Sequence, residues 1–144
     1  MRKINIITDP IKIKREVMKD DLSQAMGVTG SIQQWRPALD DTLWIQLIED
    51  NKAIGLLAVK PMTDASATFH GGVFRNFRKG NAEVALKDYL NQIRKLIPIK
   101  VFWTTVNKDN KRVIDMLKRG KFKLRGIIPN GYMDSDMLIY SEER

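Results

Sequence analysis

A single histidine, His70, stands in an apolar run, and a basic turn, Arg75-Asn-Phe-Arg-Lys-Gly80, follows a few residues later. An imidazole titrates near neutrality, so His70 could remove a proton from an attacking nucleophile. A histidine simply hydrogen-bonded within a sheet is the plainer explanation, since nothing in the sequence marks a partner for it. The turn has chemistry of its own. Where a strand passes through a glycine-bearing turn into a helix, the first helical N–H groups lack acceptors and carry the positive end of the helix dipole. Such a place suits the pyrophosphate of a nucleotide, and small residues let it approach the backbone. Here Val73 and Phe74 end the strand, Arg75, Arg78 and Lys79 supply positive charge, and Gly80, Asn81 and Ala82 stand at the helix start. A solvated turn between strand and helix is the competing explanation.

Other polar and aromatic candidates have structural explanations at hand. Asn107 and Asn110 precede a helical stretch, where Asn is a preferred cap and needs no ligand, although Asn110 could serve a ligand as well. Trp44 and Trp103 fall in strand-like runs and are expected to pack. Tyr132 and Tyr140 are proton donors by type, but the sequence positions neither. Asp134 and Asp136 are expected to solvate a strand edge rather than attract a cation.

Composition narrows the field. The chain has 144 residues, 43% of them apolar and 29% charged, which fits one domain spanning residues 1–144. It has no Cys, which excludes disulfides, thiolate metal sites and Cys nucleophiles, and no metal site is expected. The start of the chain lacks a signal-peptide pattern and no run reaches the roughly 20 apolar residues of a membrane span, so a cytoplasmic location without membrane contact is expected. The net charge of +8 would attract a polyanion. Lys and Arg are spread along the chain, denser at residues 75–79 and 118–125, with no aromatic-interleaved or zinc-finger pattern, which argues against nucleic acid as the main partner.

The elements that must hold these residues can be read from periodicity. Residues 2–8 alternate as a short strand. Asp9-Pro10 then opens a helix, with Ile11, Val17, Met18, Leu22 and Ala25 on one stripe and Gly27 as a stop. A short second helix is expected near residues 33–35. Residues 42–48 and 53–59 form a hairpin across a turn-rich connection, and residues 67–74 add a third strand, whose Gly71-Gly72 pair predicts a bulge or a close backbone approach. Ala82, Leu86, Tyr89, Ile93 and Leu96 share one face of a long helix closed by Pro98. Residues 99–106 form a parallel strand, Val113, Ile114 and Leu117 lie on a further helix, and residues 122–128 and 133–140 form a closing hairpin around Pro129-Asn130-Gly131. This order gives a mixed α/β fold, a sheet of six to seven mostly antiparallel strands with helices on both faces.

With that order in view, the chain resembles the GNAT (GCN5-related N-acetyltransferase) superfamily over nearly its whole length. Val73-Phe-Arg-Asn-Phe-Arg-Lys-Gly-Asn-Ala82 is similar to the family's acetyl-CoA motif, and residues 107–126 to its later Asn-capped helix leading into a Gly-Phe strand start. The resemblance implies a domain that binds acetyl-CoA between two splayed strands, here residues 67–74 and 99–106. It implies direct acetyl transfer to an amine, with a backbone N–H near Val73 and Phe74 polarising the carbonyl and His70 or a water as base. Cofactor contacts would come from Val73, Phe74, Arg75, Arg78, Lys79, Gly80, Asn81, Ala82 and Asn110. Two departures stand out. Arg78 is followed at once by Lys79, so the turn is one residue short. Leu117 occupies the place of a proton-donating Tyr, and Leu has no proton to give. His70, the short turn and the Asn-rich helix also resemble small phage-encoded GNAT-like proteins. That subgroup implies an alternative role as a non-catalytic binding or virion-assembly factor, with a second copy or a virion protein as partner.

Overall fold

The computed structural model describes residues 1–18, 34–74, 77 and 80–142. Its elements run β1 (Arg2–Ile7), α1 (Pro10–Met18), β2 (Leu43–Glu49), β3 (Lys52–Pro61), β4 (Ser66–Val73), α2 (Ala82–Arg94), β5 (Val101–Asn107), α3 (Lys111–Arg119), β6 (Phe122–Ile128) and β7 (Met137–Glu142). The strands form one seven-stranded sheet in the order β1-β2-β3-β4-β5-β7-β6. Every pairing is antiparallel except β4 with β5. The mixed, mostly antiparallel sheet expected from the sequence is the sheet observed.

Local chemistry explains the joints. The Asp9 carboxylate accepts from the Ile11 amide at 2.9 Å, capping α1 just before Pro10 takes the first helical position. The β2–β3 turn places Asp50 and Asn51 at φ 51° and 67°, the left-handed region that a tight hairpin requires and that these residue types tolerate. At the Gly71-Gly72 pair the expected close approach is present. Gly71 has φ 127°, and a Cβ on Gly55 of β3 would lie 2.3 Å from the Gly72 carbonyl oxygen.

Period-two alternation splits the core between the sheet's faces. On one face Ile45, Leu57, Phe69 and Phe102 pack with Tyr89, Leu90 and Ile93 of α2 and Leu117 of α3. On the other, Trp44, Leu56 and Phe74 pack with Ile13 and Val17 of α1. Phe77 touches both clusters at the end of the sheet.

Several expectations change. On α1 the buried residues are Ile13, Glu16 and Val17, while Ile11 and Met18 are 69% and 53% exposed. Val17 is buried as the expected stripe had it, but Ile13 rather than Ile11 or Met18 is the apolar residue that joins it in the core. Leu22, Ala25, Gly27 and the second helix near residues 33–35 fall largely outside the described residues. On α2, Leu96 is exposed, because the helix ends at Arg94, ahead of Pro98. The last strand begins at Met137 rather than at residue 133. Met133 takes φ 64°, and the polar residues after it peg the connection open: Asp136 accepts from the Asn130 amide at 3.1 Å, and Ser135 bonds to Asn107 and Asp109. Among the described residues no helix is long and apolar enough to cross a membrane.

Candidate functional site

β4 and β5 lie side by side only where they begin. Their register covers Ser66 with Val101, Ala67 with Phe102 and Thr68 with Trp103, and then ends, although β4 continues to Val73 and β5 to Asn107. Each strand stays fully paired on its outer side, β4 with β3 as far as Gly55–Val73 and β5 with β7 as far as Asn107–Met137. The inner edges therefore diverge into a fork. Its apex is closed by the buried Thr104 hydroxyl, which donates to the Phe69 carbonyl at 2.7 Å.

The orientation of the β4 peptides follows from their ladder. The Phe74 amide donates to Ile54 O at 2.7 Å, so Phe74 belongs to a hydrogen-bonded pair with β3. In an antiparallel pairing such residues alternate with ones whose N–H and C=O point away from the partner. Gly71 and Val73 thus turn their peptides the same way as Phe69, into the fork. This corrects one expectation. The Phe74 amide is committed to β3 and its ring is buried against α1, so it cannot polarise a carbonyl in the fork.

Past the fork the chain turns back, with the Phe77 amide donating to Phe74 O at 2.9 Å. Arg75, Arg78 and Lys79, the charged residues of the expected phosphate cradle, lie outside the described residues. Beyond them Asn81 adopts φ 65° and ψ 34° and its side chain makes no cap bond, while its carbonyl accepts from Val84 and Ala85. Among the described residues no acceptor meets the amides of Ala82 and Glu83. Gly80 is exposed, and a Cβ there would meet nothing within 4 Å. The start of α2 is open, as an anion site requires.

His70 pairs with Ala58 across β3–β4 and is half-buried. Phe69, its neighbour, stacks at 6.3 Å from Phe102 and 5.8 Å from Phe122 on the α2–α3 face, so His70 faces the opposite side of the sheet. Among the described residues its ring has no hydrogen-bond partner. Burial pushes its pKa below the ordinary 6.5, leaving a neutral imidazole at pH 7. The sheet-bonded histidine that the sequence favoured is not what the fold contains.

On the other lip of the fork, Trp103 and Thr105 of β5 alternate with the buried Phe102, Thr104 and Val106 and so share the face of His70. The Tyr132 hydroxyl reaches Thr105 Oγ1 at 3.0 Å from the β6–β7 connection. Tyr140, the other tyrosine considered, is 2% exposed within the core, and Leu117 is fully buried. Sequence reasoning missed Thr104 and Thr105; the signal available was a pair of hydroxyls inside an apolar strand. Asn110 caps α3, accepting from the Val113 amide at 3.4 Å, as a cap needs no ligand to do. Trp44 packs as expected, donating to Ala38 O at 2.6 Å. Among the described residues no three potential metal ligands cluster.

No family model and no curated protein matches the sequence. Solved structures do match the fold. A GNAT family acetyltransferase from Elizabethkingia anophelis with acetyl-CoA bound is 16% identical, over 99% of this chain and 98% of that one, with a TM-score of 0.72. The Salmonella typhimurium acetyl transferase that modifies the N-terminal serine of a 50S ribosomal subunit protein is 14% identical, over 100% and 95%, with a TM-score of 0.77. AAC(6')-Ib in complex with paromomycin and acetyl-CoA is 12% identical, over 99% and 93%, with a TM-score of 0.74. The chain has the GNAT fold.

Proposed function

We propose that this protein is an acetyl-CoA-dependent N-acyltransferase that passes an acetyl group directly to an amine. The observation that carries this is the β4–β5 fork: two strands that pair over three residues and then part, although β4 runs on to Val73 and β5 to Asn107. An extended pantetheine arm fits where two strands part, and its pyrophosphate needs an open helix start such as that of α2. Arg75, Arg78 and Lys79 supply charge beside Gly80, Asn81 and Ala82, and Asn110 lies at the start of the next helix. Acetyl-CoA supplies the activated thioester.

In the transfer step His70, neutral through burial, accepts the proton of the attacking amine. The nitrogen–carbon bond forms as the carbon–sulfur bond breaks, and the inward peptide of Gly71 stabilises the negative charge on the carbonyl oxygen. With Leu117 unable to donate, Tyr132, held by Thr105, is the hydroxyl available to protonate the departing thiolate. Positioning of the two reactants supplies much of the rate.

Titration calorimetry with acetyl-CoA tests this. Micromolar binding that weakens in an Arg78→Ala, Lys79→Ala double variant is expected. No heat and no thermal shift at millimolar acetyl-CoA would overturn it. That result would leave the non-catalytic binding role, which the fully buried Leu117 at the expected proton donor's place favours.

A further inference from the structure

The two faces of the sheet are not equivalent at the fork. α2, whose start is open, packs on the face that carries Phe69 and Phe102. A cofactor anchored at that start comes from that side, so an acceptor reaches the gap from the opposite face, where His70 stands. α1 packs on this second face against Trp44, Leu56 and Phe74, all on the β2–β4 side of the fork. Over β5, β7 and β6 the same face carries a different set of side chains.

Register gives their layout. Residues directly opposite in antiparallel strands share a face, so Trp103 stands beside Ser141, Thr105 beside Ile139 and Gly126, and Asn107 beside Met137 and Ile128. The middle row is level with His70, because Thr68 pairs with Trp103 and the next residues on this face are His70 and Thr105. From Thr105 to Gly126 that row crosses three strands, about 10 Å. Ile139 is half-buried, and a Cβ on Gly126 would meet only Ile139, at 3.7 Å, so the row ends in open space. The β6–β7 connection folds back as one wall. A Cβ on Gly131 would lie 2.5 Å from that of Met137, so the chain passes directly over Met137 before Tyr132 reaches Thr105. Trp103 is the opposite wall. Although the sequence led to a packing role for it, Trp103 is half-buried and, like Ile139, Met137 and Ile128, belongs to neither core cluster among the described residues. Scattered apolar exposure needs no explanation, but these side chains adjoin one another and lead to His70.

We infer, building on the acetyl-transfer reading, that this trough receives the acceptor, and that the acceptor is a primary amine borne on an uncharged apolar group, an aromatic ring or a branched alkyl chain. The apolar group lies over Ile139 and Gly126, between Trp103 and the Gly131–Tyr132 segment, with its nitrogen toward His70. Covering Trp103 and Ile139 favours an apolar body. A polycation in the same place would bring further ammonium groups against apolar walls, which is costly unless each is paired. Apolar surroundings also favour the neutral amine, the form that attacks.

Initial rates of CoA release with phenethylamine, ethylamine and spermidine, together with calorimetry of phenethylamine on the protein with and without CoA, test this. The kcat/KM for phenethylamine should exceed those of the other two amines by about tenfold or more. Trp103→Ala should raise its KM about tenfold. Gly126→Val, which fills the open end of the row without meeting the backbone, should do the same with unchanged acetyl-CoA binding and thermal midpoint. Phenethylamine binding that both variants weaken, without transfer to any amine, would uphold the apolar seat and overturn the transfer step alone. Faster transfer to spermidine, or a KM for phenethylamine that neither variant moves, would overturn the seat and leave the transfer step standing. Neither binding nor transfer of phenethylamine would overturn it as well.

Discussion

Thr104 of β5 donates its hydroxyl to the carbonyl of Phe69 in β4 across 2.7 Å, at the point where the two strands part. The bond takes the place of the next rung that a continuous parallel ladder would have made. It satisfies a carbonyl at the buried apex of the fork and leaves the edges beyond it diverging. Removing it strands a buried acceptor, which costs about 1–3 kcal/mol. A Thr104→Val variant, similar in shape, should lose that much stability in chemical denaturation and bind acetyl-CoA more weakly. Unchanged stability would mean that the fork is held by its outer pairings alone.

His70 makes stability and activity respond to acid in a defined direction. Its folded pKa is depressed below 6.5 by burial, so the folded state holds fewer protons than the unfolded chain. The stabilisation is complete above the unfolded pKa near 6.5 and is lost as pH falls below it. The acid limb of kcat/KM should therefore lie below pH 6.5, and a His70→Gln variant should lose about 100-fold in kcat while its stability falls less steeply below that pH. An acid limb at or above 6.5 would exclude His70 as the base.

Tyr132 is exposed and its hydroxyl meets Thr105, while its backbone amide donates to Ser135 O in any variant, so Tyr132→Phe should leave the melting temperature unchanged. If Tyr132 protonates the thiolate, kcat falls about 10- to 100-fold at constant KM for acetyl-CoA. A rise in KM with full kcat would show that the tyrosine positions substrate and donates no proton.

Arg94 and Glu142 form a largely buried ion pair joining the end of α2 to β7, and Glu142 also accepts from the Phe102 amide at 2.8 Å. The Arg94 guanidinium lies 4.9 Å from the centre of the Phe102 ring. Truncating one partner leaves a buried charge without its counterion, so Glu142→Ala should cost about 3–5 kcal/mol by urea denaturation. A loss below about 1 kcal/mol would place the pair among solvent-screened ones.

Legibility differed by element. The β2–β3 hairpin was plain because Asp50 and Asn51 are turn residues between two apolar runs, a signal that acts over neighbouring positions. The phase of α1 was legible only at Val17, because Ile11 and Met18 are as apolar as Ile13. Which of them joins Val17 inside depends on where α1 meets the sheet. The closing hairpin shifted because Ser135 and Asp136 bond to Asn107, Asp109 and Asn130, contacts that span up to about 28 residues of sequence.

The amino-acid sequence alone determined the order of strands and helices, the close backbone approach at Gly71-Gly72, the cap at Asp9 and the absence of cysteine chemistry. All of these follow from the conformational preferences and side-chain chemistry of single residues and close neighbours. Only the tertiary structure decided that β4 and β5 separate after Thr68, that the Phe74 amide belongs to β3, that Tyr132 reaches Thr105, and that Trp103 and Ile139 lie beside the fork on the face of His70. Those outcomes depend on which distant strands share hydrogen bonds, and no local propensity encodes that choice.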